Sequence, residues 1–142
     1  MLDSAIYVLG KPQKVTAYNR SCAAVNDGFM DNQYAVLEYP YATAIIHSAL
    51  VEVGGEARRQ FTVSGEQGTV EVRPLEAPKV RLSLDRVQGD YKKGWQDVEM
   101  PKTTGRYDAE FLDLAAVIRG EKAFAWSYDH DLAVQETLLK AS

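Results

Sequence analysis

Few side chains in this chain could carry acid–base or nucleophilic chemistry. It contains two histidines, His47 and His130, and one cysteine, Cys22. His47 lies within an apolar run, where an imidazole can serve as the acid or base of a cleft. We prefer the interpretation that His47 is packed or hydrogen-bonded at an interface. Cys22 is predicted to be a small buried hydrophobe, because no set of cations around it would favour a thiolate.

Three further residues are candidates for contact with a substrate. Arg58 and Arg59 could hold an anionic group through bidentate hydrogen bonds, although exposed arginines often only solvate a sheet surface. Tyr107 could place its hydroxyl in a cleft, but a core ring with a solvent-facing hydroxyl is preferred. The sequence establishes no pair for acid–base catalysis among the carboxylates on predicted strands, which are Glu38, Glu52, Glu71 and Glu99.

Metal and nucleotide sites are not predicted. Asp129, His130 and Asp131 could form a metal cluster only if they shared a face, and successive helical residues point in different directions. An acidic first helical turn is the better interpretation. Neither GxGxxG nor GxxxxGK[ST] occurs, so this chain alone is expected to bind neither NAD nor ATP.

Composition limits the partners and the compartment. The 142 residues include 16 Lys and Arg against 20 Asp and Glu, a net charge of −4 with no basic block, so nucleic acid is an unexpected partner. The single cysteine excludes an internal disulfide, and no run has the length of a membrane span. We therefore expect a cytoplasmic protein that has no contact with a membrane.

Three helices are expected to position these residues. The first covers 1–9 and is closed by Gly10 and Pro12. It begins without a cap, so the natural chain is expected to continue upstream. Apolar residues at helical spacing predict a second helix from Tyr107 to Gly120, capped by Thr103 or Thr104. A third is predicted to start near Ser127.

The remaining periodicity is that of β-strands. Strands are predicted at 14–25, 32–39, 42–53, 79–85 and 95–100, and 59–73 is predicted to form a hairpin. Gly65 and Gly68 would allow the positive φ values of its turn. About seven strands in sequence favour one meandering, largely antiparallel sheet. The expected fold is a single α+β domain of two layers, with helices on one sheet face and the other face open.

Five segments in this order resemble a known family. They are MLDSAIYVLGKPQKVTA, DNQYAVLEYPYATAIIHSAL, RRQFTVSGEQGTVEV, GRYDAEFLDLAAVIRGEK and WSYDHDLAVQETLLKAS. Together they are similar to the C-terminal domain of the Gfo/Idh/MocA family of NAD(P)-dependent oxidoreductases. In that family an N-terminal Rossmann domain binds the dinucleotide. The C-terminal domain supplies part of the substrate cleft and, through its open sheet face, the oligomer interface.

The resemblance implies hydride transfer between NAD or NADP and a sugar, inositol or related polyol. The chain lacks the Rossmann fingerprint and the Glu-Lys-Pro motif, and the family's catalytic histidine would directly precede Met1. Asp3 then remains as a supporting or helix-start residue, and no catalytic residue is assigned. The resemblance implies part of a larger oxidoreductase, inactive alone and dependent on its Rossmann domain. The residues proposed for the substrate cleft are Asp3, His47, Arg58, Arg59 and Tyr107.

An alternative function belongs to a different class. The chain could be a self-standing β-sheet module that dimerises or binds a small ligand without enzymatic activity. Under both interpretations we expect a homo-oligomer formed through the open sheet face, because 42–53 carries apolar or amphipathic residues on both sides of the strand. The sequence does not distinguish a dimer from a tetramer.

Overall fold

A computed structural model describes residues 1–22, 27–101, 105 and 107–142. The described helices are α1 (Leu2–Leu9), α2 (Asp108–Ile118) and α3 (Tyr128–Ala141), with a short 3₁₀ helix at Gly55–Arg58. The strands are β1 (Lys14–Arg20), β2 (Asn32–Glu38), β3 (Thr43–Ala49), β4 (Phe61–Gly65), β5 (Gly68–Val72), β6 (Val80–Leu84) and β7 (Gly94–Val98). The predicted α+β class and antiparallel pairing are confirmed.

The strands form two sheets instead of the one continuous sheet that was expected. Sheet one has the order β1-β2-β3 and sheet two the order β4-β5-β6-β7. The predicted strand at 42–53 ends at Ala49, because its partner β2 begins at Asn32, the residue that pairs with Ala49. Turns and the 3₁₀ helix follow, so β4 starts a new sheet.

The chain divides into two compact units. One comprises residues 1–52 and 105–142, and the other comprises residues 53–104. The first unit contains sheet one and all three α-helices, and the second contains sheet two and the 3₁₀ helix.

The core of the first unit lies between sheet one and the helices α1 and α3. Ala35 and Leu37 of β2 are buried there with Ala5 of α1, and Ala141 of α3 packs against them. The alternation of β2 therefore places one set of side chains on the helices, as two-layer packing requires. The opposite side of sheet one, which we call the open face, presents two rows of aligned residues: Tyr18, Tyr34 and His47, then Thr16, Val36 and Ile45.

Helix α2 does not occupy the position expected of it. Its apolar periodicity predicted a face packed on the sheet, but none of its residues is buried. Tyr107, predicted to be a core residue, is more than half exposed at the N-cap position of α2. The predicted caps Thr103 and Thr104 lie outside the described residues, as does the 23–25 end of the first predicted strand.

Candidate functional site

The first turns of α1 and α3 bring an aspartate and a histidine together. Asp3 Oδ1 accepts a hydrogen bond from His130 Nε2 at 2.7 Å. The His130 side chain is only 16% exposed, whereas the Asp3 side chain is 65% exposed. His130 is also held through its backbone, since its N–H donates to the Ser127 hydroxyl that caps α3. Asp3 therefore holds the imidazole and Ser127 holds the backbone of His130, while the Asp3 carboxylate remains accessible.

Two aromatic rings complete this arrangement. The centroid of Trp126 lies 5.3 Å from that of His130. Tyr7 of α1 meets Trp126 edge to face, with 4.7 Å between centroids and an interplanar angle of 82°. This is a favourable geometry for aromatic pairs. We call Asp3, Tyr7, Trp126 and His130 the Asp3–His130 cluster.

The cluster has the chemistry of a carboxylate–imidazole pair. Because a carboxylate oxygen only accepts hydrogen bonds, Nε2 of a neutral His130 carries the proton, and Nδ1 is left as an acceptor. An imidazole held in one tautomer presents its second ring nitrogen as a hydrogen-bond acceptor for a ligand. The described residues contain no group of three His, Cys, Asp or Glu side chains arranged for a metal ion.

A surface depression of about 370 Å³ adjoins the cluster. It is lined by residues of α2 and of the segment before α3: Ala109, Glu110, Asp113, Leu114, Phe124, Ala125 and Trp126. Trp126 belongs to both the depression and the Asp3–His130 cluster. Aromatic and carboxylate side chains from separate elements thus share one face of the first unit.

His47 lies elsewhere in the first unit, on the open face. Its ring stacks on Tyr34, with 4.0 Å between centroids and 10° between planes. His47 Nε2 is 3.2 Å from Asn32 Oδ1, and the Asn32 amide reaches Cys22 Sγ at 3.7 Å. Cys22 is exposed, so the prediction of a buried cysteine is wrong. Cys22 lies two residues beyond the end of β1 at Arg20, whereas the sequence pattern had predicted a strand that continued through it.

The two arginines lie in the second unit. Arg58 is the last residue of the 3₁₀ helix, and the Arg59 guanidinium forms an ion pair with Glu76. The Arg59 carbonyl accepts the N–H of Leu75 at 3.1 Å. An anionic ligand at Arg59 would therefore compete with a carboxylate already bound there.

Of the five predicted site residues, Asp3 is the one placed in the Asp3–His130 cluster. Its partner His130 was interpreted from sequence only as part of an acidic first turn. Asp3 and His130 are 127 residues apart, and only the packing of α1 on α3 brings them together. A signal was present in the sequence, since both residues fall in the first turn of a predicted helix.

Neither a family model nor a curated protein matches this chain. Solved structures do match. A Klebsiella pneumoniae protein superposes with a TM-score of 0.72 at 21% identity, covering 99% of this chain and 43% of its own. YvaA of Bacillus subtilis superposes with a TM-score of 0.68 at 18% identity, and the match covers 99% of this chain and 46% of YvaA. YPO2259 of Yersinia pestis superposes with a TM-score of 0.65 at 17% identity, and the match covers 98% of this chain and 44% of YPO2259. All three are provisionally described as oxidoreductases.

At these identities the similarity shows the fold. The chain spans less than half the length of the solved proteins that it matches. Almost all of this chain therefore has the fold of one part of those longer proteins.

Proposed function

We propose that this chain is the C-terminal domain of an NAD(P)-dependent oxidoreductase similar to the Gfo/Idh/MocA family. The observation that carries the proposal is the structural match over 98–99% of this chain to less than half of proteins provisionally described as oxidoreductases. The ordered sequence segments that resemble the family support the same assignment independently.

The Asp3–His130 cluster is the proposed contribution to the substrate cleft. An accessible carboxylate beside an ordered imidazole offers hydrogen bonds to hydroxyl groups, and the Trp126 indole offers an apolar surface next to them. This combination suits a sugar, inositol or other polyol. His47, Arg58, Arg59 and Tyr107 stay in the proposal as further candidates for contact with the substrate.

The described residues do not fit a dinucleotide. A Rossmann site is built from parallel strands joined by a helix, with the pyrophosphate at the helix N-terminus. Every strand pair in the described part of the chain is antiparallel. We therefore propose that a separate Rossmann domain binds NAD or NADP. The 142-residue chain alone is proposed to be inactive.

Titration of the chain with NADH and NADPH tests this proposal. We expect no change in nicotinamide fluorescence with either cofactor, and a complete NAD-dependent dehydrogenase serves as the positive control. Micromolar binding to this chain would contradict the assignment of the cofactor to another domain.

The location and assembly are also proposed. We propose a cytoplasmic location, which is compatible with the use of a single cysteine. Among the residues that the structure describes, none of the helices has the length and apolar character of a membrane span. We propose that the open face forms a homo-oligomer, because Tyr18, Tyr34 and Ile45 are exposed there.

The exposed open face also favours the second candidate function, a self-standing module that dimerises or binds a small ligand. That module would have no Rossmann domain and no hydride transfer. The two candidates differ in what the gene encodes upstream of Met1.

A further inference from the structure

Strand β3 forms one edge of sheet one. The strand order β1-β2-β3 pairs it with β2 on one side only. An edge strand presents a row of unpaired backbone N–H and C=O groups, and another chain can add a strand to that row. We call the side of β3 that faces away from β2 its outer edge.

Two hydrogen bonds at the ends of β3 show which of its residues point their backbone groups outward. The N–H of Tyr39 donates to the Ala42 carbonyl, and the N–H of Leu50 donates to the Asp31 carbonyl. Because bonding alternates along an antiparallel pair, the even-numbered residues from Ala42 to Leu50 bond to β2. The outward groups belong to the residues between them, which are Thr43, Ile45, His47 and Ala49. In the described part of the chain, no backbone group bonds to the outer edge.

The outer edge of β3 is accessible and its strand carries none of the usual protection. The seven residues TAIIHSA include no Asp, Glu, Lys, Arg or Pro. Native proteins often place such residues on exposed edge strands to prevent pairing with other chains. Ile45 is 67% exposed, and Thr43 and His47 are exposed as well. Strand β3 is therefore open to pairing with a further strand.

The other edge strands of the described chain are less suited to pairing. Strand β1 begins with Lys14 and ends with Arg20, and β7 contains Asp97. Strand β4 is uncharged but has five residues against the seven of β3. If β1 paired antiparallel with its own copy about its central residue, Lys14 would lie opposite Arg20. Like charges directly opposite each other destabilise a sheet, so β3 is the edge best suited to a second copy.

Antiparallel pairing of β3 with a second β3 is self-complementary. When the two copies of Ile46 lie opposite each other, Thr43 lies opposite Ala49 and Ile45 lies opposite His47. This register places all four outward residues of each copy in hydrogen-bonded pairs, with about eight backbone hydrogen bonds in total. No like charges meet across the pair, because the strand contains no Asp, Glu, Lys or Arg.

We propose that β3 pairs edge to edge with β3 of a second copy of this chain, in the antiparallel register centred on Ile46. Each copy contributes the three strands of sheet one, so the pair forms one continuous six-stranded sheet. Its two-fold axis is perpendicular to the sheet, which keeps both open faces on the same side and uncovered. This interface is separate from the one proposed for the open face, and it does not depend on the oxidoreductase assignment.

Amide hydrogen exchange, measured by NMR at about 1 mM and about 20 µM protein, tests the proposal. We expect the N–H groups of Ile45 and His47 to exchange at least about threefold more slowly in the concentrated sample. The N–H groups of Ala44 and Ile46 bond to β2 and should exchange slowly at both concentrations. The control is Ala17 of β1, whose N–H also points away from β2 and should exchange rapidly at both.

A pair of proline substitutions tests the same hydrogen bonds by removing donors. Thr43→Pro, Ala49→Pro deletes one outward N–H at each end of β3 and leaves the bonds to β2, and an edge strand tolerates proline where its nitrogen faces solvent. The dissociation constant from sedimentation should rise by about tenfold or more. The matched control Thr43→Ser, Ala49→Ser keeps both N–H groups and should associate as the parent does. A charge at Ile45 opposes both interfaces, whereas the loss of N–H groups acts on the edge pair alone.

Three results would overturn the proposal. The first is a protein that stays monomeric at about 1 mM, which would also remove the open-face interface. The second is self-association without any change in the exchange of the Ile45 and His47 N–H groups, which would leave the open face as the interface. The third is an unchanged dissociation constant in the proline variant, with slow exchange at Ala44 and Ile46 showing that β3 still pairs with β2.

Discussion

Individual side chains tie α3 to the beginning of the chain. His130 binds Asp3, and Glu136 forms an ion pair with Lys11, which follows α1. At the end of α3, the Ala141 carbonyl accepts a hydrogen bond from the Asn19 amide at 3.1 Å. Along its length, α3 is therefore held by polar contacts at the edge of a small apolar core.

The Lys11–Glu136 pair should make stability depend on pH. The hydrogen bond and charge of Lys11 lower the pKa of Glu136 below its ordinary value near 4.5. A carboxyl group whose pKa is lower in the folded protein than in the unfolded chain stabilises the fold at pH values above its ordinary pKa. This contribution is lost as the pH falls through the lowered pKa. Glu136→Gln should therefore reduce the melting temperature at neutral pH and cost nothing at a pH well below the folded-state pKa.

Thermal unfolding from neutral pH to a pH well below the folded-state pKa of Glu136 measures the change in melting temperature. Glu66→Gln, an exposed position in the turn between β4 and β5, is the matched control and should change little at any pH. An equal loss of melting temperature for Glu136→Gln at neutral and at strongly acidic pH would show that the ion pair is not its cause. Because both partners are exposed, the effect should be small.

At the residue level, the sequence named candidate residues but did not predict which of them lie in contact. Asp3 was singled out through the family resemblance and lies in the cluster. The environment of Cys22 was predicted incorrectly, because composition does not reveal which loop carries a residue to the surface. The pairing of Asp3 with His130 depends on tertiary packing across 127 residues, which local periodicity does not encode.

Among the elements, the β4–β5 hairpin shows what alternation can predict. Alternating apolar residues correctly indicated both strands and the turn, and Gly65 pairs with Gly68 where the strands close. The reason given for the glycines was wrong, since neither has a positive φ. A Cβ on Gly68 would overlap the Ser83 carbonyl oxygen of β6. Gly68 is needed because a third strand approaches it closely, which no two-strand pattern could show.

Gly68→Ala should destabilise the second unit, because the new methyl group forces β5 away from β6. We expect a loss of about 1–3 kcal/mol. Gly65→Ala is the matched control, because its Cβ would have its nearest contact at 3.9 Å. It should cost less than about 1 kcal/mol. Urea unfolding of the two variants gives the comparison, and equal losses would contradict the steric explanation.

Helix α2 shows the limit of helical periodicity. The spacing of Phe111, Leu114 and Ile118 correctly predicted a helix. The same spacing predicted a face packed on the sheet, and the structure exposes that face. An apolar stripe shows that a helix has something to cover, but it does not say whether the covering surface belongs to the same unit or to a partner.

At the scale of the whole molecule, the α+β class was predictable and the division of the strands was not. The strands are interrupted between β3, which ends at Ala49, and β4, which starts at Phe61. Only the register shows that the interruption separates two sheets, since β3 ends with the first residue of β2. Consecutive strands pair with their neighbours in the same order whether they form one sheet or two. The order of the strands in the sequence therefore could not distinguish one sheet from two.

Self-association through the open face is expected of the whole molecule. Sedimentation at about tens of micromolar should show a dimer or larger species, a concentration at which moderate interfaces of this kind are populated. Ile45→Asp should shift the protein to the monomer, because it places a charge in the middle of the open face. Val53→Asp changes a fully exposed valine and serves as the control. A monomeric parent protein would contradict the proposed interface.

Sequencing the gene upstream of the Met1 codon tests most directly the proposal that this chain is one domain of a longer oxidoreductase. We predict an open reading frame that continues upstream and encodes a Gly-rich βαβ unit and a Glu-Lys-Pro segment, with a histidine just before Met1. An in-frame stop codon shortly upstream, with translation starting at Met1, would contradict the claim and favour the self-standing module.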